Sequence, residues 1–341
     1  MSRAFPIVGM MAVLGVGCAG SGAQVDRTAL RSRALDGLKR ATGYTELASV
    51  RAQAVEALQQ VAPGDGLPWI RKALTDSSAG VRFAAAAALG ALRDQTSRPQ
   101  IEKALADPDP SVRVAAIFAL HRLGDVRYSN QFPEYLLDHP DAAVRRNTAL
   151  LLGRLGEKGA VALLARAMSS SDPALRIEAL ESMARLGGKE AVEQLKFTAH
   201  SGAGAEETLA LLALGDTRDP ELADLYRFKL QSAKHIETRL AAARALGLLR
   251  KADGYDTALR SLRFEAPSAD ATDDLPEHQM LRIKQLAASA LGAIGRDAAI
   301  PALNEVMTRD ADPRVQLAAA RAILELTTPG GLPFARETAR R

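Results

Sequence analysis

From Asp107 to Gly124 the chain reads DPDPSVRVAAIFALHRLG: an acidic, proline-broken turn, a Val-Arg pair, then a stretch of small residues ending at glycine. Counting Val112 as position one, the apolar residues at positions one, five, eight and nine (Val112, Ala116, Ala119, Leu120) fall on one side of a helix. The pattern returns along most of the molecule. Taking the residue after position one as a marker gives Arg51, Arg82, Arg113, Arg145, Arg176, Glu207, Arg239, Lys284 and Gln316, spaced 31, 31, 32, 31, 31, 32, 45 and 32 residues apart. A second apolar stretch follows each marker after turn residues, so each unit is predicted to be a pair of helices. A repeat of this length marks a solenoid, in which each unit buries its apolar face only by stacking on its neighbours. The expected fold is all-α: one elongated, right-handed α-solenoid of about nine two-helix repeats with period 31–32, spanning residues 25–328.

Departures from the period carry information too. Val25 to Thr42 places Leu30, Leu35 and Leu38 on one side of a helix but lacks the Val-Arg pair, as expected of an N-terminal cap over an open apolar face. The sixth unit has Glu207 in the arginine place and a Gly-rich lead-in from Ser201 to Gly204. Residues 264–280, FEAPSADATDDLPEHQM, are acidic and rich in turn formers: either a solvated insertion or a loop that contacts a partner. Past Leu326 the periodicity stops, and 329–341 is expected to be a C-terminal tail.

The signature has its own physics. An Asp six residues before the Arg, as in Asp76 with Arg82 and Asp107 with Arg113, lies in the turn. There it can accept a charge-assisted hydrogen bond from an Arg of its own or the next unit, forming a ladder. Gln316 breaks the series in the last unit, where no neighbour is expected to follow. Ala84, Ala85 and Ala88, with Ala115, Ala116 and Ala119, let helices approach closely. This order, DPDPSVRVAAIFAL from Asp107 and DADPRVQLAAARAIL from Asp310, resembles the HEAT repeat in the short HEAT-like form of the phycobilin lyases, over about Tyr44 to Leu326. The resemblance implies that the helix beginning with Val-Arg lines a concave face. It leaves function open, since that family holds scaffolds, enzyme subunits and lyases.

Apolar residues make up 47% of the chain and aromatics only 4%, so the core must be built from Ala, Leu, Val and Ile. Lys and Arg number 44 against 40 Asp and Glu, with no block of like charge that would seek nucleic acid. A single Cys excludes an intramolecular disulfide framework. Residues 1–17 carry one early positive charge, Arg3, and an uncharged apolar run too short to span a bilayer, as in a signal peptide. The ending Leu14-Gly15-Val16-Gly17-Cys18 resembles the lipobox of bacterial lipoproteins, which implies lipid attachment at Cys18 and a short tether, 18–24. The alternatives are a plain secretory signal cut after Ala19 and an uncleaved cytosolic or anchored chain. Ala19 in place of the Asp that retains lipoproteins at the inner membrane implies an outer-membrane lipoprotein facing the periplasm, away from nucleic acid.

Catalytic chemistry finds little support. His121, His139, His200, His235 and His278 have no second His or Cys at ligand spacing, and there is no Gly-rich phosphate loop. The His-Glu pairs of HEAT-like di-iron hydroxylases are absent. No enzyme activity, cofactor or metal is expected; the alternative, a chromophore lyase or lyase-like chaperone, rests on repeat type alone. Positions three, seven and eleven of each unit should face away from the core. In repeats two to four they hold Phe83, Val114, Phe118 and Leu150, bordered by Arg122, Arg146, Arg154 and Arg185. Such a strip would suit an acidic amphipathic segment of a protein partner; the alternative is that neighbouring repeats shield the apolar residues and the arginines are solvated.

Overall fold

In a computed structural model covering residues 26–202, 204–265 and 276–328, the described chain is helical, with no strand among these residues. The leader, Cys18, the tether, the tail 329–341 and residues 266–275 lie outside them. Helix α1 (Arg27–Ala41) precedes nine inner helices, one per marker: α2 (Ala48–Val61), α4 (Ala79–Ala91), α6 (Pro110–Arg122), α7 (Ala142–Leu155), α9 (Pro173–Arg185), α11 (Ala205–Thr217), α13 (Ile236–Leu248), α15 (Pro276–Ile294) and α17 (Pro313–Thr327). Between them lie the outer helices α3 (Pro63–Ala73), α5 (Arg98–Ala104), α8 (Ala160–Ala167), α10 (Lys189–Ser201), α12 (Ala223–Ser232), α14 (Tyr255–Ser261) and α16 (Ile300–Arg309). The third repeat uses only a π-helical turn, Glu134–Asp138, in that layer.

The turn chemistry explains the signature. Asp109 caps α6 by accepting from the Ser111 and Val112 amides at 2.8 and 3.3 Å, and Pro110 occupies the first turn, where no amide donor is needed. Asp107 does a different job. Both its carboxylate oxygens take the fork of Arg82, from the preceding unit, at 2.8 Å, while Arg82 Nη1 donates to the Asp76 carbonyl of its own turn at 2.9 Å. Arg51 grips Asp76 in the same way, holding that carboxyl below its usual pKa. The carboxylates thus take the arginine of the unit before, not that of their own or the next unit. Lys284 keeps the link to Asp310 at 2.8 Å, and Gln316 keeps only the link to its own turn, donating to the Asp310 carbonyl at 2.6 Å. In the sixth unit a buried pair, Lys229 to Glu207 at 2.6 Å, replaces the ladder.

The inner helices pack in sequence from α2 to α17, and α17 then packs against α2 and α1. The array is therefore a closed ring, where an elongated solenoid was expected. Arg27 donates to the Leu326 carbonyl at 2.9 Å and pairs with Asp297, and Arg31 reaches Thr328 Oγ1 at 2.8 Å. One buried core runs through the join, from Leu30, Leu38 and Leu58 to Ile323 and Leu326. α1 is not a cap on an open end: it packs on α17 and α2 as the outer helix of a ninth unit, supplied from the other end of the chain. Nor does the insertion break the ring. α15 already begins at Pro276, so residues 276–280 of the predicted loop are helical, and α13 packs directly on α15. Close spacing depends on glycine at position ten: a Cβ on Gly90 would fall 2.6 Å from Ala119 Cα, and one on Gly215 2.9 Å from Ala245 Cβ.

Candidate binding site in the ring interior

The inner helices of four repeats turn positions among three, four and seven toward the middle of the ring. In repeats one, six, eight and nine these positions line an open cavity of about 660 Å³, within the usual range for ligand pockets. Its apolar wall is Leu209 and Leu212 of α11, Leu286 of α15 and Leu317 of α17. Leu209 is 46% exposed, a large apolar side chain left open to the cavity.

Polar groups from four helices and one turn converge on this wall. Arg321 donates to Glu325 at 2.9 Å, Arg282 lies 3.6 Å from Glu237, and Arg314 is forked onto Asp312 at 2.6 and 3.0 Å. Each cavity arginine therefore already faces a carboxylate. Gln285 donates weakly to the Arg314 carbonyl and Gln53 Oε1, at 3.4 and 3.5 Å. Two acceptors are left over. Gln279 is only 4% exposed and its Oε1 has no hydrogen-bond partner, and Glu56 has no ion-pair or hydrogen-bond partner among the described residues. A buried amide oxygen without a donor is costly, and a ligand that supplies one removes that cost.

The strip predicted on repeats two to four is placed differently. Val114 and Phe118 are 0% and 1% exposed, in a buried cluster with Ala86, Ala87, Phe132 and Leu136, so they are core and not a docking surface. The cause is alanine: α4 and α6 approach so closely that Ala84–Gly90 and Val114–Leu120 are buried on every side, leaving these helices no solvent face in their middle turns. Phe83 and Leu150 are half-buried. Arg122 donates to the Leu155 carbonyl at 3.3 Å, and Arg146 pairs with Asp172 at 3.0 Å. Arg185 bonds Glu181 at 2.7 Å and lies 3.7 Å from Asp216; Arg154 is exposed.

Three of these arginines, Arg185, Arg154 and Arg146, act on a largely buried acid, Glu178, instead of bordering an apolar strip. Burial raises the Glu178 carboxyl to about 7, helped by Glu181 and opposed by Arg185, Arg154 and Arg146, and its Oε1 has no partner. The folded chain thus holds this proton more tightly than the unfolded chain, whose glutamate titrates near 4.5. Stability from this group is full below pH 4.5 and is lost as pH rises through 7. Glu178→Gln is expected to raise stability by about 2 kcal/mol at pH 8, with the gain shrinking toward zero at pH 5, as urea midpoints at the two pH values will show.

Of the histidines, His121 bridges repeats three and four through Ser129 Oγ and Glu157 Oε1, both at 2.6 Å, and His235 lines the cavity. Among the described residues no group of three or more His, Cys, Asp or Glu is placed to hold a metal ion. The cavity residues stand at the outward-facing positions of their repeats, with Glu56, Leu212, Ser289 and Arg321 at position seven and Thr208, Gln285 and Leu317 at position three. Their mixed polarity gave no strip to single out.

Nine stacked inner helices with this turn chemistry define a class, the helical-repeat proteins. The HEAT-repeat pattern matches residues 35–121, 130–214 and 277–341, well over half of the chain, and the chain belongs to the HEAT-repeat family. Among solved structures it is similar to human deoxyhypusine hydroxylase in complex with glycerol, at 17% identity over 87% of this chain and 96% of that one, with a TM-score of 0.38. It is also similar to the complex of CpcE and CpcF of phycocyanin lyase from Nostoc, at 19% identity over 84% of this chain and all of that one, with a TM-score of 0.41. At these values neither likeness carries an argument about activity. No curated protein matches the chain.

Proposed function

We propose that the protein is a non-enzymatic binding scaffold of the bacterial cell envelope, anchored by lipid on Cys18 at the outer membrane and facing the periplasm, that receives a protein partner in the ring interior. HEAT repeats commonly mediate protein–protein interaction. The observation that carries the proposal is the cavity itself: an exposed Leu209 and an unpartnered, buried Gln279 oxygen on a wall whose arginines are all paired with carboxylates. Its size admits a few side chains or a short loop, not a whole helix. No described helix is long and apolar enough to cross a membrane. What supports the lipid anchor is the lipobox-like ending at Cys18.

One experiment in cells tests both parts. A photoreactive benzoylphenylalanine is placed at Leu209, or at the outer-face Lys103, in chains with and without Cys18→Ala, and a palmitate analogue is supplied. A protein adduct is expected from Leu209 and not from Lys103, with lipid label only where Cys18 is present. Adducts from Lys103 alone would remove the interior as the receiving surface, and equal label on Cys18→Ala would remove the anchor.

A further inference from the structure

The cavity ends unequally. Glu56 of α2 and Arg321 of α17 both stand at position seven, with Glu325 one turn further along α17, and Arg321 spends its Nε on Glu325. Glu325 has a side chain only 9% exposed. Toward the other end, Arg282 and Arg314 are each matched by Glu237 and Asp312. Three arginines and three glutamates line the cavity, but Arg314 is already neutralised by a carboxylate outside that set, so the interior carries one carboxylate in excess, and Glu56 is the one with no partner. The second open group, Gln279 Oε1, is also an acceptor. Between them the wall is leucine: Leu209, Leu212, Leu286 and Leu317. No Phe, Tyr or Trp lines the cavity, so its apolar contact surface is aliphatic.

We propose that the ring cavity binds an aliphatic ammonium ion, its alkyl stem against the four leucines and its charge at Glu56. The proposal deepens the binding function above and rests on it. An uncharged alcohol would leave Glu56 without its counter-ion, and a carboxylate would add like charge to a cavity that already carries one carboxylate in excess. The chemistry is shared by a free alkylamine and by the lysine side chain of a partner protein, whose four-carbon stem and ammonium have the same form.

The test is calorimetric titration of the full, lipid-bearing chain in detergent with n-butylamine, n-butanol and butyrate at neutral pH, and with Nα-acetyl-lysine N-methylamide. Butylammonium is expected to bind, about tenfold more weakly in Glu56→Gln, the effect of one ion pair worth a decade in Kd, while butanol and butyrate give no heat of binding. The lysine derivative binding as well as butylamine assigns the ammonium to a partner's side chain; butylamine binding alone assigns it to a free amine. Equal binding of butanol or butyrate, no binding of either amine, or an unchanged Kd in a folded Glu56→Gln chain would overturn the proposal. Failure here with a persisting Leu209 adduct would leave the scaffold function standing with a different recognition chemistry.

Discussion

Replacing Phe118 with alanine is expected to destabilise the ring by about 3–5 kcal/mol, the usual range for removing a buried aromatic side chain. The ring of Phe118 is 1% exposed and lies over Gly90, whose missing side chain makes room for it: a Cβ at Gly90 would come within 3.0 Å of the phenyl Cε1. Little can collapse into the vacancy, because the neighbours Ala86, Ala87 and Ala115 are short side chains on closely packed helices. Arg154→Ala, on the exposed edge of the same row, should stay within about 0.5 kcal/mol of the parent chain. Urea midpoints of the two variants decide the matter. If Phe118→Ala unfolds with the parent midpoint while the partner adduct at Leu209 is lost, Phe118 belongs to a recognition surface after all.

The contrast shows what the repeat pattern can carry. Period, helix pairs, capping Asp-Pro turns and the arginine ladder are local: each depends on residues within about one repeat, so the spacing from Arg51 to Gln316 was enough to find them. Even there the direction of the ladder was hidden, because Arg113 is nearer to Asp107 in sequence than Arg82 is, and only packing selects Arg82. Which face of an inner helix meets water depends on the curvature accumulated over many repeats, and one-unit helical spacing treats every repeat alike. Repeat three buries positions three and seven and repeat two buries position seven, while repeats six, eight and nine place theirs on the cavity wall. The sixth unit departs from the pattern with Glu207 in place of Arg, yet a buried lysine from α12 completes it; that partner lies 22 residues away and has no fixed place in the period.

Deleting α1 is expected to open the ring, and moving it to the other end of the chain is not. The helix buries Leu30, Ala34 and Leu38 against the first and last repeats, and two buried leucines alone contribute about 4 kcal/mol at roughly 2 kcal/mol each. Its start touches the end of α17: Arg27 and Arg31 bond Leu326 and Thr328 across 299 and 297 residues of sequence. A short linker can therefore join residue 328 to Asp26, with a new chain start before Ala48 and a new end after Thr42. This circular permutant keeps every contact of α1 and breaks only the connection to α2, so it should retain the radius of gyration by small-angle scattering and nearly the same urea midpoint. A chain lacking residues 26–41 should show a larger radius and a lower midpoint, as α17 and α2 lose the helix that covers their join. Gln316 sharpens the expectation: the ninth unit donates no ladder bond into the first, since Thr45 stands where the acidic acceptor would be, and closure must rest on packing through α1. Should the deletion leave both quantities unchanged, the ring would be held by α17 against α2 alone, and α1 would be no more than a cap.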